Sequence, residues 1–132
     1  EHSPEREIGV FPVTLTEAGL ADDHIKGFGK TLNTGHWHGD MPGLTDNAVV
    51  LATSQGCPRQ IVRFSPKHYA FQAHLEFDPE AIDLLIAADG EEHLRKQNKE
   101  LLFVQTPEQL RANDYSEMNK KLYDFLDSLT QA

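Results

Sequence analysis

The sequence predicts an α/β fold, a mixed sheet with helices gathered toward the C-terminus. Three observations carry this. Residues 8–72 hold five segments rich in β-branched and aromatic side chains, separated by clusters of Gly, Pro, Asp and Ser. After Glu76 the hydrophobic spacing changes to that of helices with capping signals. The last stretch places Met118, Leu122, Phe125, Leu126 and Leu129 on one stripe.

The elements follow in order. Ile8 to Leu15 is the first strand, and Pro12 within it points to an edge or a bulge. Thr16 to Phe28 is expected to be a loop with a short helical turn. Lys30 to His38 is the second strand and runs into the turn cluster Gly39-Asp40-Met41-Pro42-Gly43. Ala48 to Ser54 is the third, closed by Gln55-Gly56-Cys57-Pro58. Gln60 to Phe64 and His68 to Gln72 flank Ser65-Pro66-Lys67 and read as a hairpin. Asp78 is a good N-cap with Pro79 at the first helical position, and Phe77 and Ile82 are spaced as a hydrophobic staple. That helix is expected to run to about Ala88 and stop at Gly90. Thr106-Pro107-Glu108-Gln109 and Asp114-Tyr115-Ser116-Glu117 open two more. Asp22-Asp23 and Glu91-Glu92 read as solvated surface charges.

The 132 residues suffice for one domain with a core. A complete α/β domain of this kind needs more parallel strands and crossover helices, so the chain reads as the second half of a larger domain. No apolar run approaches the ~20 residues that span a bilayer. The polar start, Glu1 to Glu7, resembles neither a signal peptide nor a transit peptide, which predicts a soluble, cytoplasmic protein. The net charge of -9 argues against nucleic-acid binding. A single cysteine, Cys57, excludes an intrachain disulfide and a cysteine-based zinc site.

Three constellations could carry chemistry. In the run Tyr69 to Phe77, His74 and Glu76 are two residues apart in an apolar, extended segment, so their side chains share a face. A base and the group that orients it are two-thirds of a nucleophilic triad. A strand-end histidine that merely bonds a nearby acid is the simpler reading of so short a pattern. Gly35-His36-Trp37-His38-Gly39-Asp40 places His36 and His38 on one strand face and Trp37 on the other. It fits a polar turn with a buried tryptophan, a substrate loop, or a metal site completed by Asp40 or His74. Cys57 precedes a proline in a loop and lacks a glycine-flanked elbow, so it reads as a bystander thiol.

Taken together, Trp37 with His38-Gly39-Asp40, then Leu51-Ala52-Thr53-Ser54, Gln60, and Gln72-Ala73-His74-Leu75-Glu76 resemble the C-terminal half of class I glutamine amidotransferase domains. The likeness is closest to the subgroup similar to the amidotransferase domain of GMP synthase. It covers about residues 7 to 88, and the helical residues 91–132 lie outside it. Ala73 stands where the family usually has Phe, Leu75 where it has Pro, and Ala70 where it has Gly.

The resemblance implies a flavodoxin-like fold divided here as 1–90, the C-terminal half of the domain, and 91–132, a helical tail packed on it. It implies hydrolysis of the glutamine side-chain amide with release of ammonia, with His74 as base and Glu76 as its orienter. Trp37, His38, Gly39 and Asp40 would line the glutamine pocket, by backbone more than side chain. The nucleophilic cysteine, in a Gly-x-Cys-x-Gly elbow, would lie upstream of Glu1, so this chain alone would be inert. No metal and no organic cofactor is implied. The partners implied are the missing N-terminal half and an ammonia-accepting synthetase domain or subunit, with no nucleic acid or membrane. A γ-glutamyl peptidase-like hydrolase and a non-catalytic amidotransferase-like binding protein are the competing readings.

Overall fold

A computed structural model describes residues 1–130. The last two residues of the expected tail lie outside them. The fold is the expected mixed sheet with C-terminal helices. The strands are β1 (His2–Leu15), β2 (Thr31–Asp40), β3 (Val49–Thr53), β4 (Ile61–Ser65), β5 (His68–Phe71) and β6 (Phe103–Val104). The helices are α1 (Glu17–Ala21), α2 (Pro79–Asp89), α3 (Glu91–Glu100), α4 (Pro107–Ala112) and α5 (Ser116–Thr130), with a 3-10 turn at Lys26–Phe28. No helix among the described residues is long and apolar enough to cross a membrane.

The strand order is β2-β1-β3-β4-β5, with β6 beside β1. The long β1 is the spine. One edge pairs antiparallel with β2 from Glu7 to Thr14. The other pairs with β6 at Glu7 and Ile8, the only parallel strand pairing among the described residues, and with β3 at Thr14 and Leu15. Between those two contacts the Gln105 side chain acts as a substitute strand, accepting from Val10 N at 3.2 Å and donating to Val10 O at 3.3 Å. In an extended strand, residues two apart direct their backbone groups to the same edge. Pro12 therefore aims its missing N–H into the stretch between Gln105 and β3. It marks a gap in a central strand, rather than the edge or bulge expected.

After β5 the chain stays extended but changes partner. Gln72 N donates to Gln60 O at 2.8 Å, beside β4. His74 then forms an antiparallel bridge with Gly35 of β2, N to O at 2.7 Å and O to N at 3.0 Å. The last extended segment thus meets the first strand of the sheet order, and the sheet curls closed there. Gly35 permits the approach. A Cβ at this position would collide with the Phe77 ring and lie 2.8 Å from the His74 carbonyl oxygen.

The core unites both faces of the curl with the helices: Ile8, Val13, Leu51 and Ile61 from the sheet, Ile82 and Ile86 from α2, Met118 and Phe125 from α5. Asp78 caps α2 by accepting from Ala81 N at 2.8 Å, and Gly90 ends it at φ 95°. Thr106 and Gln109 form a reciprocal capping box on α4. Leu126 stands 45% exposed and so leaves the core stripe predicted for α5.

One of the two acidic pairs differs from the sequence reading. Glu91 and Glu92 are exposed, as expected, and open a helix, α3. Only Leu94 and Gln97 of α3 are buried, so it shows no apolar stripe to detect. Asp22 is no surface charge. It is buried, takes Arg63 Nη1 at 2.5 Å and the Tyr69 hydroxyl at 3.0 Å, and accepts from the backbone of His24 and Ile25. Its neighbour Asp23 is exposed and pairs with Lys26.

Candidate active site

The closure of the sheet displays the pair singled out in the sequence. From Ala73 to Phe77 the chain alternates: Ala73, Leu75 and Phe77 are buried, while His74 and Glu76 face outward. His74 Nδ1 lies 3.0 and 3.1 Å from the two Glu76 oxygens. A carboxylate only accepts, so the shared proton belongs on Nδ1. That leaves Nε2 as the ring's basic atom, without a hydrogen-bond partner among the described residues. The His74 side chain is 36% exposed, so a reacting group can reach it. The Phe77 ring lies beneath it, 4.6 Å between centroids and 8° from parallel.

This segment is held from behind by α5. The Asn119 side-chain amide donates to Leu75 O at 2.7 Å and to Phe77 O at 2.9 Å. The two carbonyls flank Glu76.

The Gly35 to Asp40 segment forms the end of β2 rather than a free loop. His36 and His38 share one face as expected, but they point into the core, where Glu7 of β1 meets them. Glu7 Oε1 is 3.2 Å from His38 Nε2 and 3.8 Å from His36 Nδ1. Glu7 also accepts from Gln60 Nε2 at 2.6 Å and Ser54 Oγ at 2.8 Å. His36 Nε2 lies 3.2 Å from Phe11 O and 3.0 Å from Thr34 Oγ1. The carbonyl can only accept, so the His36 proton sits on Nε2 and its Nδ1 faces His38 Nε2 at 3.2 Å.

Burial drives the pKa of His36 down to about 4, partly opposed by the Glu7 charge, so its ring is neutral near pH 7. Burial by itself would raise the Glu7 carboxyl. Hydrogen bonds from His38 and Ser54 and the nearby imidazoles outweigh it and hold the group below its usual range. Glu7, His36 and His38 are the three donors close enough to share a cation among the described residues. Asp40 and His74, the ligands considered from sequence, belong to neither this cluster nor each other. Asp40 is 3.0 Å from His2 at the surface, and His74 is paired with Glu76.

Of the four residues expected to line a substrate pocket, Trp37 packs against the core and His38 is turned into it. Gly39 is half-buried and Asp40 exposed at the strand end. Cys57 is fully buried, and burial pushes its thiol pKa up, the reverse of an activated nucleophile.

Sequence reasoning missed Glu7 and Asn119. An acid opening a β-branched run was the available signal for Glu7. Asn119 lies on the α5 flank with only an ordinary helical pattern around it.

No family model matches the chain. It is 52% identical over 130 residues to the glutamine amidotransferase-like protein YfeJ of Salmonella typhimurium, covering 98% of this chain and 54% of YfeJ. A crystal structure of the protein SMU.1228c superposes with a TM-score of 0.94 at 55% identity, covering 98% of this chain and 55% of that one. A glutamine amidotransferase from Thermotoga maritima superposes at 0.80 and one from Methylobacillus flagellatus at 0.81, each at 19% identity. They cover 99% and 100% of this chain, and 54% and 56% of theirs. The chain spans about half the length of the curated relative it matches. Over about half of that relative's length the chain is thus similar to a glutamine amidotransferase-like protein, and it has the fold of two solved glutamine amidotransferases.

Proposed function

We propose that this chain supplies the base and its orienter to a class I glutamine amidotransferase whose cysteine nucleophile lies in an upstream half of the same domain. The observation that carries the reading is the His74–Glu76 contact: Nδ1 is held by a carboxylate at 3.0 Å, and Nε2 is left open on a reachable ring. Residues 1–90 form the C-terminal half of the domain, with 91–132 as its helical tail.

In this reading His74 Nε2 takes the thiol proton as the thiolate attacks the side-chain amide carbon of glutamine. It returns that proton to the nitrogen as the C–N bond breaks and ammonia leaves. Water, deprotonated by the same nitrogen, then cleaves the thioester and releases glutamate. Glu76 keeps the ring in the tautomer with Nε2 unprotonated and stabilises the imidazolium formed in each step. The β2 end, from Trp37 through His38 and Gly39 to Asp40, lines the glutamine pocket by its backbone. The ammonia passes to a synthetase domain or subunit, and the protein works in the cytoplasm.

The test is ammonia release from glutamine by the protein that includes the upstream half, with γ-glutamyl peptides assayed beside it. His74→Ala should abolish release, and Glu76→Gln should lower kcat by about two orders of magnitude or more. Undiminished turnover in His74→Ala would remove the base from its assigned role. Preference for γ-glutamyl peptides over glutamine would change the substrate and keep the machinery.

A further inference from the structure

The segment that carries His74 and Glu76 has little of its own to hold it. Regular strand pairing stops at Phe71. Beyond it, one backbone bridge to Gly35 fixes His74, and nothing rigid in the backbone fixes Glu76, since Leu75 rather than a proline lies between the two. An exposed histidine and an exposed glutamate can adopt many rotamers. A proton relay needs one arrangement, because small misplacements of a reacting group cost orders of magnitude in rate.

We infer that Asn119 of α5 is a positioning residue for this pair, acting through the backbone on both sides of Glu76 and through the Phe77 ring under His74. The inference rests on the reading of His74 and Glu76 as base and orienter.

The stoichiometry fits. A side-chain amide has two N–H groups, and here two carbonyls two residues apart receive them, Leu75 O at 2.7 Å and Phe77 O at 2.9 Å. Carbonyls accept only, so the amide nitrogen has to face them. Carbonyls at i and i+2 held by one planar group fix the direction of the side chain between them, which is that of Glu76. The same contact fixes the backbone of Phe77, whose ring is buried, abuts Gly35 and stacks on the imidazole. In turn α5 is anchored elsewhere. Lys121 Nζ donates to Gly27 O at 2.8 Å, Ser128 Oγ meets His24 Nδ1 at 2.8 Å, and Phe125 packs edge-on against Phe28, Tyr69 and Phe71. Asn119 thus ties the pair to a helix that has its own anchors elsewhere in the fold.

The experiment uses the protein that includes the upstream half, with its histidines isotopically labelled. Asn119→Ala removes both donors without weakening α5, because Ala is the better helix former. Asn119→Asp keeps the shape and sets an acceptor against two acceptors. In both, kcat for glutamine should fall roughly tenfold or more while KM stays within about twofold. The His74 ring protons, shielded by the stacked Phe77, should move downfield toward an unstacked imidazole. A role confined to stability would lower the melting temperature and leave both readouts in place. Unchanged ring signals in folded Asn119→Ala would overturn the inference, as would shifted signals with unchanged kcat. If Asn119→Asp does not fold, Asn119→Ala decides the matter. Full turnover in His74→Ala would sink the underlying reading instead, and is told apart because it needs no Asn119 variant.

Discussion

Gln60 donates its side-chain amide to Glu7 Oε1 at 2.6 Å, in the core and across 53 residues of chain. Around this contact His36, His38 and Ser54 complete a buried polar cluster linking β1, β2 and the start of β4. Breaking such a cluster by removing one partner leaves the others buried and unpaired. Gln60→Leu should therefore cost about 2 to 4 kcal/mol of unfolding free energy, read from urea denaturation at pH 7. A cost below about 0.5 kcal/mol would mean that the cluster does not hold these strands together.

The cluster also sets the sign of the acid response. His36 has a folded pKa of about 4 against a usual value of 6.5, so between these pH values the unfolded chain binds the proton that the folded one refuses. Its contribution is whole above pH 6.5 and is lost as pH falls toward 4. Glu7, depressed below 4.5, adds to the loss at still lower pH. Unfolding free energy should fall on acidification, and His36→Gln should flatten the slope between pH 6.5 and 4 by up to about 1.4 kcal/mol per pH unit. Equal slopes in the two proteins would contradict a neutral, buried His36.

Gly35→Ala should disturb the closure of the sheet. The added methyl meets the Phe77 ring and the His74 carbonyl at once, and both belong to the packed interior or the bridge. A loss of about 1 to 3 kcal/mol is expected, together with loss of protection of the His74 amide in hydrogen exchange. Wild-type protection in the variant would show that the bridge tolerates a side chain.

Asp22→Ala should be among the most damaging single changes outside the candidate site, at about 3 to 5 kcal/mol. It leaves the Arg63 guanidinium beside an emptied buried position and strips the Tyr69 hydroxyl of its acceptor. The Tyr69 pKa, raised to about 12 by burial and by Asp22, should then fall in a spectrophotometric titration. An unmoved titration would deny the contact.

Cys57 should resist iodoacetamide in the native protein at neutral pH and react once urea unfolds it, since the thiol is buried and its pKa raised. Cys57→Ala should leave glutamine turnover intact in the protein that carries the upstream half. Native-state alkylation accompanied by loss of turnover would reopen the question of the nucleophile.

What the sequence reveals depends on how local the signal is. The outward pairing of His74 and Glu76 was legible because alternation is a property of any extended segment, and Asp78, Pro79 and Gly90 bounded α2 by their own cap chemistry. The buried contact of Glu7 with His36 and His38 was not legible, because Glu7 reaches them only through the register of β1 on β2. Asn119 was hidden for a similar reason: its amide matters through two carbonyls more than forty residues away in the chain. Within the tail expected to be helical, the bounds of α3 escaped because a helix that buries one leucine and one glutamine has no periodic apolar face, and β6 escaped because two residues make no pattern.

The pairing of β1 with β6 has a consequence for synthesis on the ribosome. Val10 and Gln105, joined across that edge, are 95 residues apart. At ordinary elongation rates β1 emerges about 5 to 20 s before the strand and glutamine that cover it. Through that interval a β-branched edge stands open to pairing with other nascent chains. Pro12, which withholds a donor on that same edge, makes the waiting strand a poorer template, so a residue that interrupts the finished sheet also guards the unfinished one.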